Sequence, residues 1–131
     1  MPGCILRVVS TRTAIESLIK TSDLRPFKIY RKGEPIVSGS KKLSRYSGFN
    51  VDVSQADDLD NQVREAIRFL KKHSAGLRRL RRHRSFKEMT LDFGVWNRAP
   101  QKPAQFFRLP DPLVQLSGKS GIGIELSLYD Q

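Results

Sequence analysis

Cysteine is nearly absent from this sequence of 131 residues, and long apolar runs are absent altogether. The single cysteine, Cys4, excludes an internal disulfide and favours a reducing compartment. No stretch approaches the roughly 20 apolar residues of a membrane-spanning helix. The first residues also lack the charged leader and apolar stretch of a secretory signal peptide. We therefore expect a cytoplasmic protein that does not interact with membranes.

Histidine is scarce, and the reactive motifs of enzymes are missing. His73 and His83 would lie about 15 Å apart along a helix, too far to share one metal ion. Cys4 falls on an apolar strand, which favours a small buried side chain over a nucleophile. The segment 118–121, Gly-Lys-Ser-Gly, follows a short helix instead of a strand, so we interpret it as an ordinary turn and not a phosphate loop. The sequence therefore predicts no catalytic residue, no metal site and no cofactor, and a protein that is not an enzyme.

Acidic residues are few compared with basic residues. The sequence has 13 Asp and Glu and 24 Lys and Arg, which gives a net charge of +11. A field of this sign attracts nucleic acid, anionic lipid or an acidic protein. The simpler explanation is that the charge only keeps the protein soluble. The length fits a single domain over residues 1–131, and 38% hydrophobic residues are enough for a core.

Periodic apolar residues divide the chain into strands and helices. A capping box from Thr13 to Glu16 indicates the start of a short helix that ends near Ser22. Asp111 and Pro112 are typical of the first residues of another short helix, 111–118. We expect a long loop or an irregular hairpin over 31–48 and a loop over 97–105. The predicted strands are 4–10, 26–30, 49–54, 88–95, 106–109 and 122–129.

The most informative segment is Ser54 to Lys87, which we predict to be one long amphipathic helix. Leu59, Val63, Leu70 and Leu77 belong to its apolar stripe, and Gly76 marks a place where it could kink or break. Its second half, 71–87, is strongly basic.

The element order predicts the α+β class. Strands that alternate between apolar and polar residues favour a mostly antiparallel sheet with helices on one face. A ferredoxin-like two-layer sandwich is the simplest topology for this order.

Short segments carry a family resemblance. They are 30–34 (Tyr-Arg-Lys-Gly-Glu), 46–49 (Tyr-Ser-Gly-Phe) and 124–129 (Ile-Glu-Leu-Ser-Leu-Tyr), with the long helix between the last two. In these features the chain resembles an uncharacterised bacterial domain-of-unknown-function family with a ferredoxin-like sandwich, of the DUF4279 type. The resemblance implies the fold but no catalytic residue. Because some small families of this kind antagonise toxins, it also suggests that role. The dense arginine run is not typical of the family.

Two sets of residues are candidates for partner binding. On the sheet, exposed aromatic side chains would suit a protein contact or a homodimer through the sheet face. Asp52, Asp92 and Glu125 would share that face, where we expect ordinary solvated acids that would repel nucleic acid. The aromatic set is Tyr30, Trp96 and Tyr129. The basic set is Lys71, Lys72, Arg78, Arg79, Arg81, Arg82, Arg84 and Lys87.

From these features we expect a protein-interaction module with an acidic protein partner, of the toxin-antagonist kind. The alternative is sequence-independent nucleic-acid binding through 71–87, in which each neutralised phosphate steepens the salt dependence. Membrane binding is disfavoured because the basic segment lacks large aromatics that would insert.

Overall fold

The computed structural model describes residues 2–97 and 103–130. Its elements are β1 (Gly3–Ser10), α1 (Glu16–Ser22), β2 (Lys28–Tyr30), β3 (Ser47–Ser54), α2 (Leu59–Lys72), α3 (Ser74–Arg82), β4 (Phe86–Asn97), α4 (Asp111–Lys119) and β5 (Gly123–Asp130). Within the described ranges no helix has the length and apolar character needed to cross a membrane.

The five strands form one sheet in the order β2-β3-β1-β4-β5. Three of the pairings are antiparallel, and β5 pairs with β4 in parallel. The predicted α+β class with a mostly antiparallel sheet is therefore confirmed, and the parallel edge strand makes the sheet mixed. The ferredoxin-like topology stays a prediction.

One cluster of buried side chains joins the sheet to the helices. In β1, β3 and β4 the side chains of alternate residues point to the same face of the sheet, as the two-residue period of a strand requires. Burial of each large aliphatic or aromatic side chain stabilises the fold by about 1.5–3 kcal/mol. The cluster includes Leu6, Val8, Phe49, Leu91 and Phe93 from the sheet and Leu18, Ala66, Leu70, Leu77, Leu80 and Leu113 from the helices.

The prediction of one long helix over Ser54–Lys87 is wrong. Ser54 ends β3, and the chain is helical only from Leu59 to Lys72 and from Ser74 to Arg82. The break falls at His73, whose backbone (φ −104°, ψ 15°) departs from helical values, and not at Gly76. Arg84 lies outside both helices and Lys87 lies in β4, so 71–87 is not one basic helix.

Gly76 is buried within α3 because two backbones approach each other there. A β-carbon at this position would lie 2.2 Å from the carbonyl oxygen of Ser22 at the end of α1. The glycine thus permits close packing of α1 on α3 and does not break the helix.

Several smaller predictions also differ from the structure. α1 begins at Glu16 after Ile15 without a side-chain cap, so the capping box is wrong. The predicted strand 106–109 is absent from the described residues, and Phe106 is 92% exposed. The residue that caps α4 is Pro110, one position before Asp111. By contrast, the segment 31–46 forms an irregular hairpin, one of the two forms expected there, with a bridge between Pro35 and Leu43. Part of the predicted loop 97–105 (98–102) lies outside the described residues.

Candidate functional site

All eight predicted basic residues are exposed. Six of them lie on α2 and α3, and the other two, Arg84 and Lys87, follow α3. Among the described residues, the ion pairs are Arg7 with Asp92 and Glu125, and Arg31 with Glu16. None of the eight predicted cations takes part in them.

A cavity of about 630 Å³ lies where α2, α3 and the end of α4 meet. We call it the basic groove. Helical spacing places Arg78, Arg81 and Arg82 on one face of α3, because residues three and four apart are neighbours. The residues that line the groove are Leu70, Lys71, Ser74, Arg78, Arg81, Arg82, Leu116, Lys119 and Ser120. Five of these side chains are cationic and none is acidic.

Arg81 is seated against the turn that follows α4. Its Nη1 donates to the carbonyl oxygen of Lys119 at 3.4 Å. Gly121, two residues after Lys119, has φ +71°, and a β-carbon there would lie 2.5 Å from Cζ of Arg81. The guanidinium therefore occupies space that only a glycine leaves open.

The last carbonyl groups of α4 accept hydrogen bonds from backbone amides of the residues that follow the helix. The carbonyl of Leu116 accepts from the amide of Ser120, and that of Ser117 accepts from Ile122. The carbonyl of Gly118 accepts from Gly121. The negative end of this helix therefore competes little for the groove cations other than Arg81.

Arg79 faces away from the groove. Its Nε donates to the carbonyl oxygen of Thr21 on α1 at 2.8 Å, which ties α3 to α1. The arginines of α3 thus divide into one that fastens the helix pair and three that surround the groove.

The sheet face opposite the helices, which we call the open face, carries a small ionic network. Arg7 on β1 donates to Asp92 on β4 at 3.0 Å and to Glu125 on β5 at 3.2 Å. Ser127 donates to the other oxygen of Asp92 at 2.7 Å. Burial lowers the pKa of Arg7, but its hydrogen bonds to Glu125 and Asp92 outweigh this and raise the pKa above its usual value.

A second cavity of about 350 Å³ adjoins this network. Asp52, Asp57 and Asp92 line it together with the ring of Tyr129. Asp52 and Asp92 flank Ile5 on the two neighbouring strands, so the acids expected on this face do come close together. Arg7 and Ser127 already engage Asp92, and Gln55 donates to Asp52 at 3.2 Å.

The three predicted aromatic residues do not form one surface. Trp96 and Tyr129 pack edge to face with their ring centroids 6.4 Å apart. Tyr30 lies on β2 at the opposite edge of the sheet, next to Tyr46, and accepts a hydrogen bond from Asn50. Separation to opposite edges leaves no continuous aromatic platform for stacked bases.

Two groups of the described residues, His83 and Cys4, have surroundings that oppose a role as base or nucleophile. His83 Nε2 lies 3.1 Å from the hydroxyl of Ser17, but His83 Nδ1 accepts from the amide of Ser85. The ring proton therefore sits on Nε2, which donates to Ser17 and cannot act as its base. Burial, reinforced by Asp92 and Asp52, raises the pKa of the Cys4 thiol far above its usual value. Cys4 is fully buried, as predicted. Within the described ranges no cluster of His, Cys, Asp and Glu is arranged to hold a metal ion.

Comparison with known proteins identifies the family. The model of the family described as Domain of unknown function (DUF4279) matches residues 2–131. The chain belongs to this family. No curated protein and no solved structure matches the chain.

Sequence reasoning missed three residues that shape these surfaces. Lys119 is the last residue of α4 and Gly121 lies in the turn after it, so only the second half of the predicted turn 118–121 is a turn. Lys119 contributes a cation to the groove, and Gly121 leaves the space that Arg81 occupies. Arg7 stands within a predicted strand and gave no signal beyond being a charged residue between apolar ones. Only strand order could show that its neighbours are Asp92 and Glu125.

Proposed function

We propose that this chain is a non-enzymatic, cytoplasmic protein-interaction module that binds an acidic protein through the basic groove. The observation that carries the proposal is a concave surface whose described lining has five cationic side chains, no carboxylate and the partly buried Leu116. Clustered cations repel one another, and an acidic partner relieves that repulsion on binding. An antagonist of an acidic toxin is one class of protein that this surface would suit.

The shape and lining of the groove favour a protein over nucleic acid. Leu116, which is only partly buried, gives the groove apolar surface that a partner's aliphatic side chain would cover, whereas a nucleic-acid backbone presents mainly phosphates. Arginine is also enriched at the centres of protein interfaces. The acids of the open face and the separated aromatics give nucleic acid no second contact there.

The test compares two probes on one fluorescence anisotropy scale. One is a labelled peptide of alternating glutamate and leucine, and the other is a labelled DNA duplex of equal charge. The variant R78A/R81A/R82A removes three groove arginines. We expect it to weaken peptide binding about tenfold, from roughly 0.5 kcal/mol for each ion pair.

The matched control is R12A/R25A/R45A. These three arginines are exposed and lie outside the groove, so the control makes the same change in net charge. We expect it to bind the peptide nearly as the wild type does. Equal losses in both triple variants would mean that only total charge matters. Tighter binding of the duplex, with the same loss in R78A/R81A/R82A, would establish the nucleic-acid alternative instead.

A further inference from the structure

We propose that the basic groove is a binding site for a phosphate monoester dianion, carried by a phosphorylated side chain of the acidic partner. This inference rests on the proposed function, because it names the group on the partner that the groove recognises.

The number and type of cations favour phosphate over a carboxylate. A carboxylate offers two oxygens and one charge, which one bidentate arginine satisfies. A phosphate monoester offers three terminal oxygens and nearly two charges, so that several arginines can bind it together. Arg78, Arg81 and Arg82 line one cavity, and Lys71 and Lys119 add two further charges.

Two features of the groove favour binding of an anion: repulsion between like charges and the restricted side chain of Arg81. Arg78 and Arg82 are like charges four residues apart, an arrangement that costs stability without a partner. The side chain of Arg81 packs against Gly121 and donates a hydrogen bond to the carbonyl oxygen of Lys119. Because these contacts already restrict its conformation, less side-chain entropy is lost when Arg81 binds an anion. Of its five N–H groups, the hydrogen bond to Lys119 uses one.

The environment does not offset this charge. Among the residues that the structure describes, no acidic side chain lines the groove, and the acids of the network around Arg7 belong to the open face of the sheet. The carbonyl groups that end α4 accept hydrogen bonds from their own turn.

The experiment titrates the full chain with three labelled peptides of one sequence, each rich in glutamate and leucine. They differ at a central position, which holds phosphoserine, serine or glutamate. We expect the phosphoserine peptide to bind about tenfold tighter than the other two, because charge-assisted hydrogen bonds to a dianion exceed those to a monoanion. Its advantage should shrink on going from about pH 7.5 to about pH 5.5, because the second phosphate pKa lies near 6.

The variants R81Q and R79Q form a matched pair. Both remove one exposed arginine of α3 that donates to a backbone carbonyl, but only Arg81 lines the groove. We expect R81Q to remove most of the preference for phosphoserine and R79Q to keep it. Thermal unfolding of both variants checks that each is folded.

Inorganic phosphate separates the two sources of the ligand. Displacement of the phosphopeptide by inorganic phosphate, lost in R81Q, would support the phosphate site while pointing to a free phosphorylated ligand. Lack of displacement, with the preference for phosphoserine intact, would support a phosphorylated partner.

Equal binding of the phosphoserine and glutamate peptides, or equal effects of R79Q and R81Q, would overturn the phosphate site. The proposed function would survive that result if R78A/R81A/R82A still weakened binding of the acidic peptides. Failure of all three peptides to bind would overturn both the phosphate site and the proposed function. A DNA duplex that bound as tightly as the phosphopeptide, with the same dependence on Arg81, would also overturn the inference.

Discussion

The guanidinium of Arg81 lies against the backbone of Gly121, where a β-carbon would stand 2.5 Å from both Cζ and Nε. These two residues join α3 to the turn between α4 and β5. The contact fixes an arginine at the wall of the basic groove, and it explains why a residue without a side chain stands at that point of the turn.

Replacement of Gly121 by alanine tests this contact. The φ of +71° makes any side chain unfavourable, by about 1 kcal/mol, and the new methyl group would also displace Arg81. We expect a lower melting temperature together with weaker binding of acidic peptides.

Gly33→Ala is the control for Gly121→Ala. Its φ of +86° imposes the same backbone cost, but nothing lies within 4 Å of the added β-carbon. Gly33→Ala should lower the melting temperature and leave peptide binding unchanged. If both variants bind acidic peptides equally well, the contact between Arg81 and Gly121 does not contribute to binding.

The apolar pattern was sufficient to predict most strands and the class of the fold. Alternation around Leu91 and Phe93 identified β4, and both side chains are buried. Leu126 has the same alternation but is 37% exposed, because β5 is an edge strand. Alternation indicates which side chains share a face, but coverage of that face depends on the tertiary arrangement.

The groove itself could not be predicted, because its residues come from three helices whose packing no local pattern encodes. The sequence showed Arg78, Arg81 and Arg82 as a charged run, and their helical spacing placed them on one side. Lys119 lies 37 positions beyond Arg82 and joins them only because α4 packs on α2. The break at His73 was also hidden, since the leucine stripe continues across it.

Gly76→Ala provides a test of helix packing. Alanine is favoured over glycine in a helix by about 1 kcal/mol, but here its β-carbon would meet the carbonyl oxygen of Ser22. We expect a net loss of about 1–3 kcal/mol in the free energy of unfolding, as is usual for overpacking, measured by urea denaturation.

Gly118→Ala is the counterpart of Gly76→Ala in α4. No atom lies within 4 Å of its added β-carbon, so the propensity gain should appear as increased stability. If Gly76→Ala were also stabilising, the close approach of α1 to α3 would be disproved.

The network on the open face gives a third prediction. In Arg7→Met, the carboxylate of Asp92, only 11% exposed, would lose its cation. We expect a loss of about 1–3 kcal/mol in the free energy of unfolding, since a largely buried charge is left unpaired. The double variant R7M/D92N should recover part of this loss. Additive effects of the two substitutions in a double-mutant cycle would argue against coupling between them.

Asp58 supplies a pH dependence whose sign can be worked out. Its side chain accepts hydrogen bonds from the side-chain amide and the backbone amide of Asn61 at the start of α2, which lowers the pKa of Asp58. A lowered folded-state pKa stabilises the protein above the unfolded value of about 3.9, and this stabilisation disappears as pH falls through the folded pKa. Asp58→Asn keeps a capping side chain without a charge.

We therefore expect the wild type to be more stable than Asp58→Asn near neutral pH and the difference to shrink as the solution is acidified below about pH 4. Urea denaturation at a series of pH values measures it. Asp57→Asn is the control, since Asp57 is an exposed neighbour outside this capping interaction. A stability difference between wild type and Asp58→Asn that stayed constant down to acid pH would show that the charge of Asp58 does not contribute to capping α2.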